Sequence, residues 1–158
     1  RSGGDYTRDL QTSISKTGVE LMGARQQMVI AARATGRMCF DTVYTDLDDM
    51  EGFRKDVEMI KTMGFDGKSV IHPKQITEVH RLYTPTDKQI QKALKVLDAY
   101  ADAQKNHKGV LAVDGKMIDG PIVVRAQRVV DQAIAAGVNV EEKREQARKM
   151  INKYNTSR

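Results

Sequence analysis

The stretch from Met38 to Ile76, MCFDTVYTDLDDMEGFRKDVEMIKTMGFDGKSVIHPKQI, constrains the fold more than any other part of the chain. A strand-like run, Cys39–Tyr44, leads into an acidic loop. The spacing of Phe53, Val57, Ile60 and Met63 then predicts a helix with one apolar face. Gly64 and Gly67 end it, and Lys68–Ile71 reads as a second short strand. Strand, helix and strand over roughly thirty residues is a βαβ unit, whose parallel strands are joined by a right-handed crossover. Chemistry in such units gathers at the carboxyl ends of the strands. Those ends are expected at Tyr44-Thr45-Asp46 and His72-Pro73.

Upstream, Gly3–Leu10 reads as a loop and Thr12–Lys16 as mostly polar chain. A helix is expected from Thr17 or Gly18 to about Thr35, buried along Leu21, Ala24, Met28, Ala31 and Ala32, with Gly36 as its stop. Downstream, Pro73 opens a first turn and Gln75–Leu82 makes a short helix. In Thr84-Pro85-Thr86-Asp87, Thr84 is the expected cap, Pro85 takes the first helical position and Asp87 completes a T-x-x-D box. The helix it opens runs to about Lys105 and buries Ile90, Ala93, Leu94, Leu97 and Ala101. Val110–Val113 and Lys116–Ile118 flank Asp114-Gly115, the signature of a hairpin with a type I′ turn. Asp119-Gly120-Pro121 opens a helix to about Ala136, and a charged helix from Glu141 to about Tyr154 closes the chain. The expected division is an α/β part, 1–83, and a helical extension with a short hairpin, 84–158. Two or three parallel strands leave sheet faces and edges uncovered. The chain therefore reads as the carboxyl-terminal part of a larger α/β protein.

Composition narrows the function classes. The net charge of +5 is either a solvated basic surface or an attraction to anions such as nucleotide phosphates, a CoA-like arm or an acidic carrier protein. Nucleic acid is disfavoured, because the basic residues are dispersed, aromatics make up 5% and no zinc-finger or RNA-binding signature occurs. A single cysteine, Cys39, allows no intrachain disulfide and suits a reducing cytoplasm. No apolar run approaches the roughly twenty residues of a membrane span, and RSGGDYTRDL lacks the apolar core of a signal peptide.

Four places carry candidate chemistry, each with a plainer alternative. Asp5 is a turn or cap residue, or a ligand for a hard cation such as Mg²⁺. Asp46, Asp48 and Asp49 cap the following helix, or form a metal loop without the spacing of an EF-hand. His72 is a hydrogen-bonded structural residue or a group titrating near neutrality. Asp119 is an N-cap, or a general acid or base on a movable tail.

The same residues resemble the citrate lyase beta-subunit family and its citramalyl-CoA and malyl-CoA lyase relatives, the HpcH/HpaI aldolase-like CoA-ester lyases. Four stretches match in order: Gly4-Asp5-Tyr6; Asp41–Asp46 with Glu51-Gly52; Gly64-Phe65 and Gly67-Lys68 with Ile71-His72-Pro73 and Gln75-Ile76; and Gly115, Met117-Ile118-Asp119 and Pro121. The resemblance implies the carboxyl-terminal part of a (β/α)₈ barrel, its last two to three parallel strands with their helices, plus a helical extension. It has no counterpart here for the first five strands, the family's substrate-binding arginine or its first Mg²⁺ glutamate, and Gly4 stands where the family usually has glutamate. By resemblance, Asp5 is a Mg²⁺ ligand, and Asp119 is a catalytic acid or base that reaches into a neighbouring subunit. Val43, Tyr44, Asp46, His72 and Pro73 would line the pocket for the substrate and its thioester arm. The implied reaction cleaves a citryl thioester, on CoA or the CoA-derived group of an acyl carrier protein, to oxaloacetate and an acetyl thioester. The implied setting is a cytoplasmic homo-oligomer with the citrate lyase alpha and acyl-carrier gamma subunits. Alone, the chain is expected to be an incomplete and inactive enzyme; a non-catalytic half-barrel module that pairs with itself or another subunit is the alternative.

Overall fold

The structure, a computed structural model, describes residues 2–106 and 112–146. The chain divides into two compact units, one ending at Tyr83 and the other beginning at Thr84.

The first unit runs α1 (Gly3–Asp9), a 3₁₀ turn (Val19–Leu21), α2 (Met22–Ala34), β1 (Phe40–Asp41), α3 (Met50–Met63), β2 (Gly67–Lys68) and α4 (Pro73–Tyr83). The strands pair in parallel, Phe40 opposite Gly67 and Asp41 opposite Lys68, so the βαβ unit forms. Each strand is two residues long and stops well short of its expected end. Beyond Asp41 the backbone acceptors turn to side chains rather than to a ladder. Lys68 Nζ donates to the Thr42 carbonyl and Gln75 Nε2 to the Tyr44 carbonyl, while the Ile71 N–H donates to Gln75 Oε1. The true strand ends are therefore Asp41-Thr42 and Lys68-Ser69. Gly67 lies in β2 instead of ending the helix: a Cβ there would stand 2.9 Å from the Phe40 ring. Gly64 ends α3 at φ 104°, a left-handed cap.

Two further expectations are corrected. Gly3–Leu10 is mostly helix rather than loop, because Ser2 and Asp5 form a reciprocal capping box around its first turn. Arg25 and Val29 of α2 are buried, in line with Leu21 of the preceding 3₁₀ turn, while Met28 and Ala31 face out. The helix is rotated by about one residue from its most apolar stripe, because the buried carboxylate of Asp41 draws Arg25 inward. Val29, Cys39, Ile60 and Phe65 form the core beneath the strands. Phe53 and Val57 are fully enclosed beside them, each side chain adding about 1.5–3 kcal/mol.

The second unit contains α5 (Asp87–Lys105), β3 (Ala112–Val113), β4 (Lys116–Met117) and α6 (Gly120–Ala135), and is helical again over 140–146. Its core joins Ile90, Leu94 and Val96 of α5 to Ala126, Val130 and Ala133 of α6; Ala101, expected inside, is exposed. The cap of α5 is Thr86, not Thr84. The Thr86 hydroxyl accepts the Gln89 N–H, and Gln89 Oε1 accepts the Thr86 N–H at 2.8 Å, so a T-x-x-Q box displaces the overlapping T-x-x-D. Asp114 and Gly115 both take left-handed backbone, φ 51° and 71°, as a type I′ turn requires. Val110, Leu111 and the expected last helix beyond residue 146 lie outside the described residues. No helix among the described residues is long and apolar enough to cross a membrane.

Candidate functional site

The carboxyl edge of the parallel pair is built on a buried charge quartet. Arg25 on α2 makes a two-pronged bond to Asp41, Nε to Oδ1 at 2.9 Å and Nη2 to Oδ2 at 2.8 Å. Its Nη2 also lies 3.0 Å from Asp56 on α3. Lys68 Nζ donates to Asp41 Oδ2 at 2.8 Å and to Asp56 Oδ2 at 2.5 Å. Two cations thus meet two anions, and each strand end is clamped to the helices behind it. Burial opposes the Arg25 charge, but the Asp41 and Asp56 carboxylates outweigh it and hold the guanidinium above its ordinary value. Sequence reasoning missed this quartet. The signal was present: Asp41 follows Cys39 by two and shares its strand face, and Arg25 sits one turn from both Leu21 and Val29.

Thr42, the next residue, seats α1. Its Oγ1 accepts the Gly3 N–H at 3.0 Å, and a Cβ on Gly3 would meet Thr42 Cγ2 at 3.0 Å. Asp5 lies two residues further along the same helix. Its Oδ2 accepts the Ser2 N–H at 3.2 Å and the Ser2 hydroxyl at 2.9 Å. The hydroxyl bond is the main reason its carboxyl titrates below the usual range.

A cleft of about 200 Å³ opens beside this edge, lined by Ser15, Lys16, Arg25, Val43, Tyr44 and Asp46 among others. Three of the expected pocket residues, Val43, Tyr44 and Asp46, are thus brought together. The acidic loop is held by its own carboxylates. Asp46 Oδ1 accepts the N–H groups of Asp48 and Asp49, and Asp49 Oδ1 accepts the Gly52 N–H at 2.8 Å to cap α3. The Tyr44 hydroxyl donates to Asp49 Oδ2 at 3.0 Å, and its ring packs edge-on against Phe53. Burial, reinforced by Asp49, pushes the Tyr44 phenol up to about 12. A Cβ at Gly52 would lie 2.3 Å from that hydroxyl, so only glycine fits.

The remaining candidates lie elsewhere. His72 is exposed and its Nδ1 accepts the Lys74 N–H; Pro73 is exposed at the start of α4, and neither lines the cleft. The residue that holds the two strand-end loops together is Gln75, fully enclosed, bonded at 3.0 Å to both the Tyr44 carbonyl and the Ile71 N–H. Asp119 belongs to the second unit, where its Oδ1 accepts the Ile122 N–H and caps α6. Cys39 is buried, and burial pushes its thiol up, away from nucleophile chemistry.

For a divalent ion, the described residues hold no group of three His, Cys, Asp or Glu side chains. Asp5 offers one carboxylate. Mg²⁺ binds through one or two carboxylates with substrate and water oxygens completing its shell, so Asp5 fits as one ligand of a shared site and not as a site by itself.

Residues 2–73 match the model of the HpcH/HpaI aldolase/citrate lyase family. The citrate lyase beta subunit of Haemophilus influenzae is 45% identical over 129 residues, 82% of this chain and 44% of its own length. That of Leuconostoc mesenteroides subsp. cremoris is 46% identical over 131 residues, 83% of this chain and 43% of its own. The chain therefore spans less than half the length of these curated relatives. The crystal structure of protein CitE from Mycobacterium tuberculosis, in complex with magnesium, acetoacetate and coenzyme A, superimposes with a TM-score of 0.62 at 28% identity, over 78% of this chain and 47% of that one. With its parallel βαβ pair in place, the stretch 2–73 of this chain is a segment of the HpcH/HpaI aldolase/citrate lyase family.

Proposed function

We propose that this chain is the carboxyl-terminal part of a Mg²⁺-dependent lyase barrel that splits a citryl thioester into oxaloacetate and an acetyl thioester. The observation that supports the reading is the bond from the Gly3 N–H to Thr42 Oγ1, which ties α1, the helix that carries Asp5, to the residue just past β1. Asp5 is one ligand for the Mg²⁺, which when bound acts as a Lewis acid on the oxygen that becomes the ketone. Val43, Tyr44 and Asp46 position the thioester arm. As the carbon–carbon bond breaks, the substrate hydroxyl loses its proton and the carbon released as an enolate gains one. Asp119 takes the first proton and returns it to that carbon, acting on a neighbouring copy's site. One of its carboxylate oxygens caps α6, and the other has no partner among the described residues. The carrier is CoA or an acyl carrier protein, and the partners are further copies of the chain with citrate lyase alpha and acyl-carrier subunits in the cytoplasm. A citramalyl-CoA or malyl-CoA substrate is the near alternative.

The test is a chimera in which this chain replaces the matching part of the H. influenzae relative. It is expected to release oxaloacetate from citryl-CoA with Mg²⁺, and Asp5→Asn to cut that release by at least about a hundredfold, the scale of a lost ligand or its support. A folded chimera without activity, or one indifferent to Asp5→Asn, overturns the reading; citramalyl-CoA in its place separates the substrates. The 158-residue chain alone is expected to show no turnover.

A second reading, a non-catalytic half-barrel that pairs with itself or another subunit, is favoured by one face of the β1–β2 pair, where Phe40 is 52% and Met38 72% exposed. Light scattering of the isolated chain decides it: a well-folded monomer at high concentration counts against this module.

A further inference from the structure

We propose that the second unit holds a binding site for a small amphipathic anion, an apolar body ending in one carboxylate or phosphate. A cleft of about 450 Å³ opens between α5, the β3–β4 hairpin and α6. Ala93, Val96, Ile122 and Val129 are among its apolar lining, and Lys92, Lys116 and Arg125 also line it. None of these three cations has an ion-pair partner among the described residues. The one carboxylate lining the cleft, Asp114, is taken by Lys95. The cleft is therefore apolar with uncompensated positive charge, and its volume falls within the range of small-molecule sites. An apolar chain gains by leaving water there, and an acidic head gains from the cations. A neutral ligand would use only half of what the site offers, and an inorganic anion the other half. This inference does not rest on the lyase reading, since every group in it belongs to the second unit and none is Asp119.

The whole chain is titrated with hexanoate, octanoate and decanoate, with octyl phosphate, and with decanol and inorganic phosphate as controls. Binding is read from NMR shifts of the Val96 and Ile122 methyl groups. Decanoate is expected to bind about fourfold more tightly per added methylene than hexanoate, and more weakly at high salt. Octyl phosphate against octanoate tells which head the site takes, and inorganic phosphate alone leaves the methyl signals unmoved. Lys92→Gln with Arg125→Gln, both exposed, keeps the fold and lowers decanoate affinity about tenfold. Val129→Trp fills the cleft and abolishes binding, its indole reporting folding in a chain without tryptophan. The proposal is overturned if decanoate leaves these signals unmoved, or if decanol binds as well and the double variant changes nothing. It is also overturned if the cleft proves to be occupied by a second copy that decanoate does not displace.

Discussion

Removing one member of the buried quartet strands a charge, and the cost follows from the geometry. Arg25 and Asp41 side chains are 5% and 3% exposed, and Lys68 is fully enclosed. Asp41→Asn leaves Arg25 and Lys68 facing Asp56 alone, a net positive charge in a largely buried site. Breaking a buried pair in this way costs about 3–5 kcal/mol, a large part of the roughly 5–15 kcal/mol that holds a domain together. Lys68→Met leaves the opposite excess and costs a similar amount. The double variant Asp41→Asn/Lys68→Met leaves Arg25 with Asp56, a neutral pair 3.0 Å apart. It is expected to cost less than the sum of the singles by about 2–3 kcal/mol. Urea unfolding is the assay. The two units need not unfold together, so the first unit is followed by the NMR signals of Val29 and Ile60 rather than by total helix content. With an m-value of about 1–1.5 kcal/mol/M for a unit of this size, each single variant lowers the midpoint by about 2–5 M. A single-variant cost under about 1 kcal/mol, or a double variant equal to the sum, would show that water relieves the stranded charge and that the quartet does not lock the strand ends.

Gly52→Ala drives a methyl group into the Tyr44 hydroxyl and the Asp49 carboxylate, 2.3 and 2.4 Å from its ideal position. Thermal melting of the first unit is expected to drop by about 5–10 °C, and an unchanged melt would contradict the packing. In a spectrophotometric titration at alkaline pH, one of the five tyrosines is expected to ionise near 12, and Tyr44→Phe to remove that step. Because the folded phenol lies above its unfolded value of about 10, its contribution to stability is complete below pH 10 and disappears as pH rises through about 12. Gln75→Leu leaves the Ile71 N–H and the Tyr44 carbonyl without their partner and is expected to cost about 2–3 kcal/mol. Hydrogen exchange at Ile71 should accelerate in that variant, and protection unchanged there would mean the loops are held by something else.

Residues Met38–Ile76 made the βαβ unit legible, because the period of Phe53, Val57 and Ile60 and the breaker Gly64 are local signals. The hairpin was legible for the same reason: Asp114-Gly115 carries its backbone preference within two residues. The candidate site was only half legible. Val43, Tyr44 and Asp46 share one cleft, as their place in a single loop suggested, whereas His72 and Pro73 do not reach it. The cap of α5 was misjudged because two overlapping boxes compete and only side-chain reach chooses between them, as Gln89 does over Asp87.

What the sequence by itself determined was most of the elements after α1, their order and the family motifs, since these rest on spacing and on residues a few positions apart. Where the strands stop, which face of α2 turns inward and what holds the strand-end loops were decided only by tertiary structure. Each depends on groups far apart in the chain, Arg25 with Asp41 and Asp56, Lys68 with Thr42, Gln75 with Tyr44. A charge is buried at tolerable cost only when its partner is already in place. That condition belongs to the folded arrangement and not to any local run of residues.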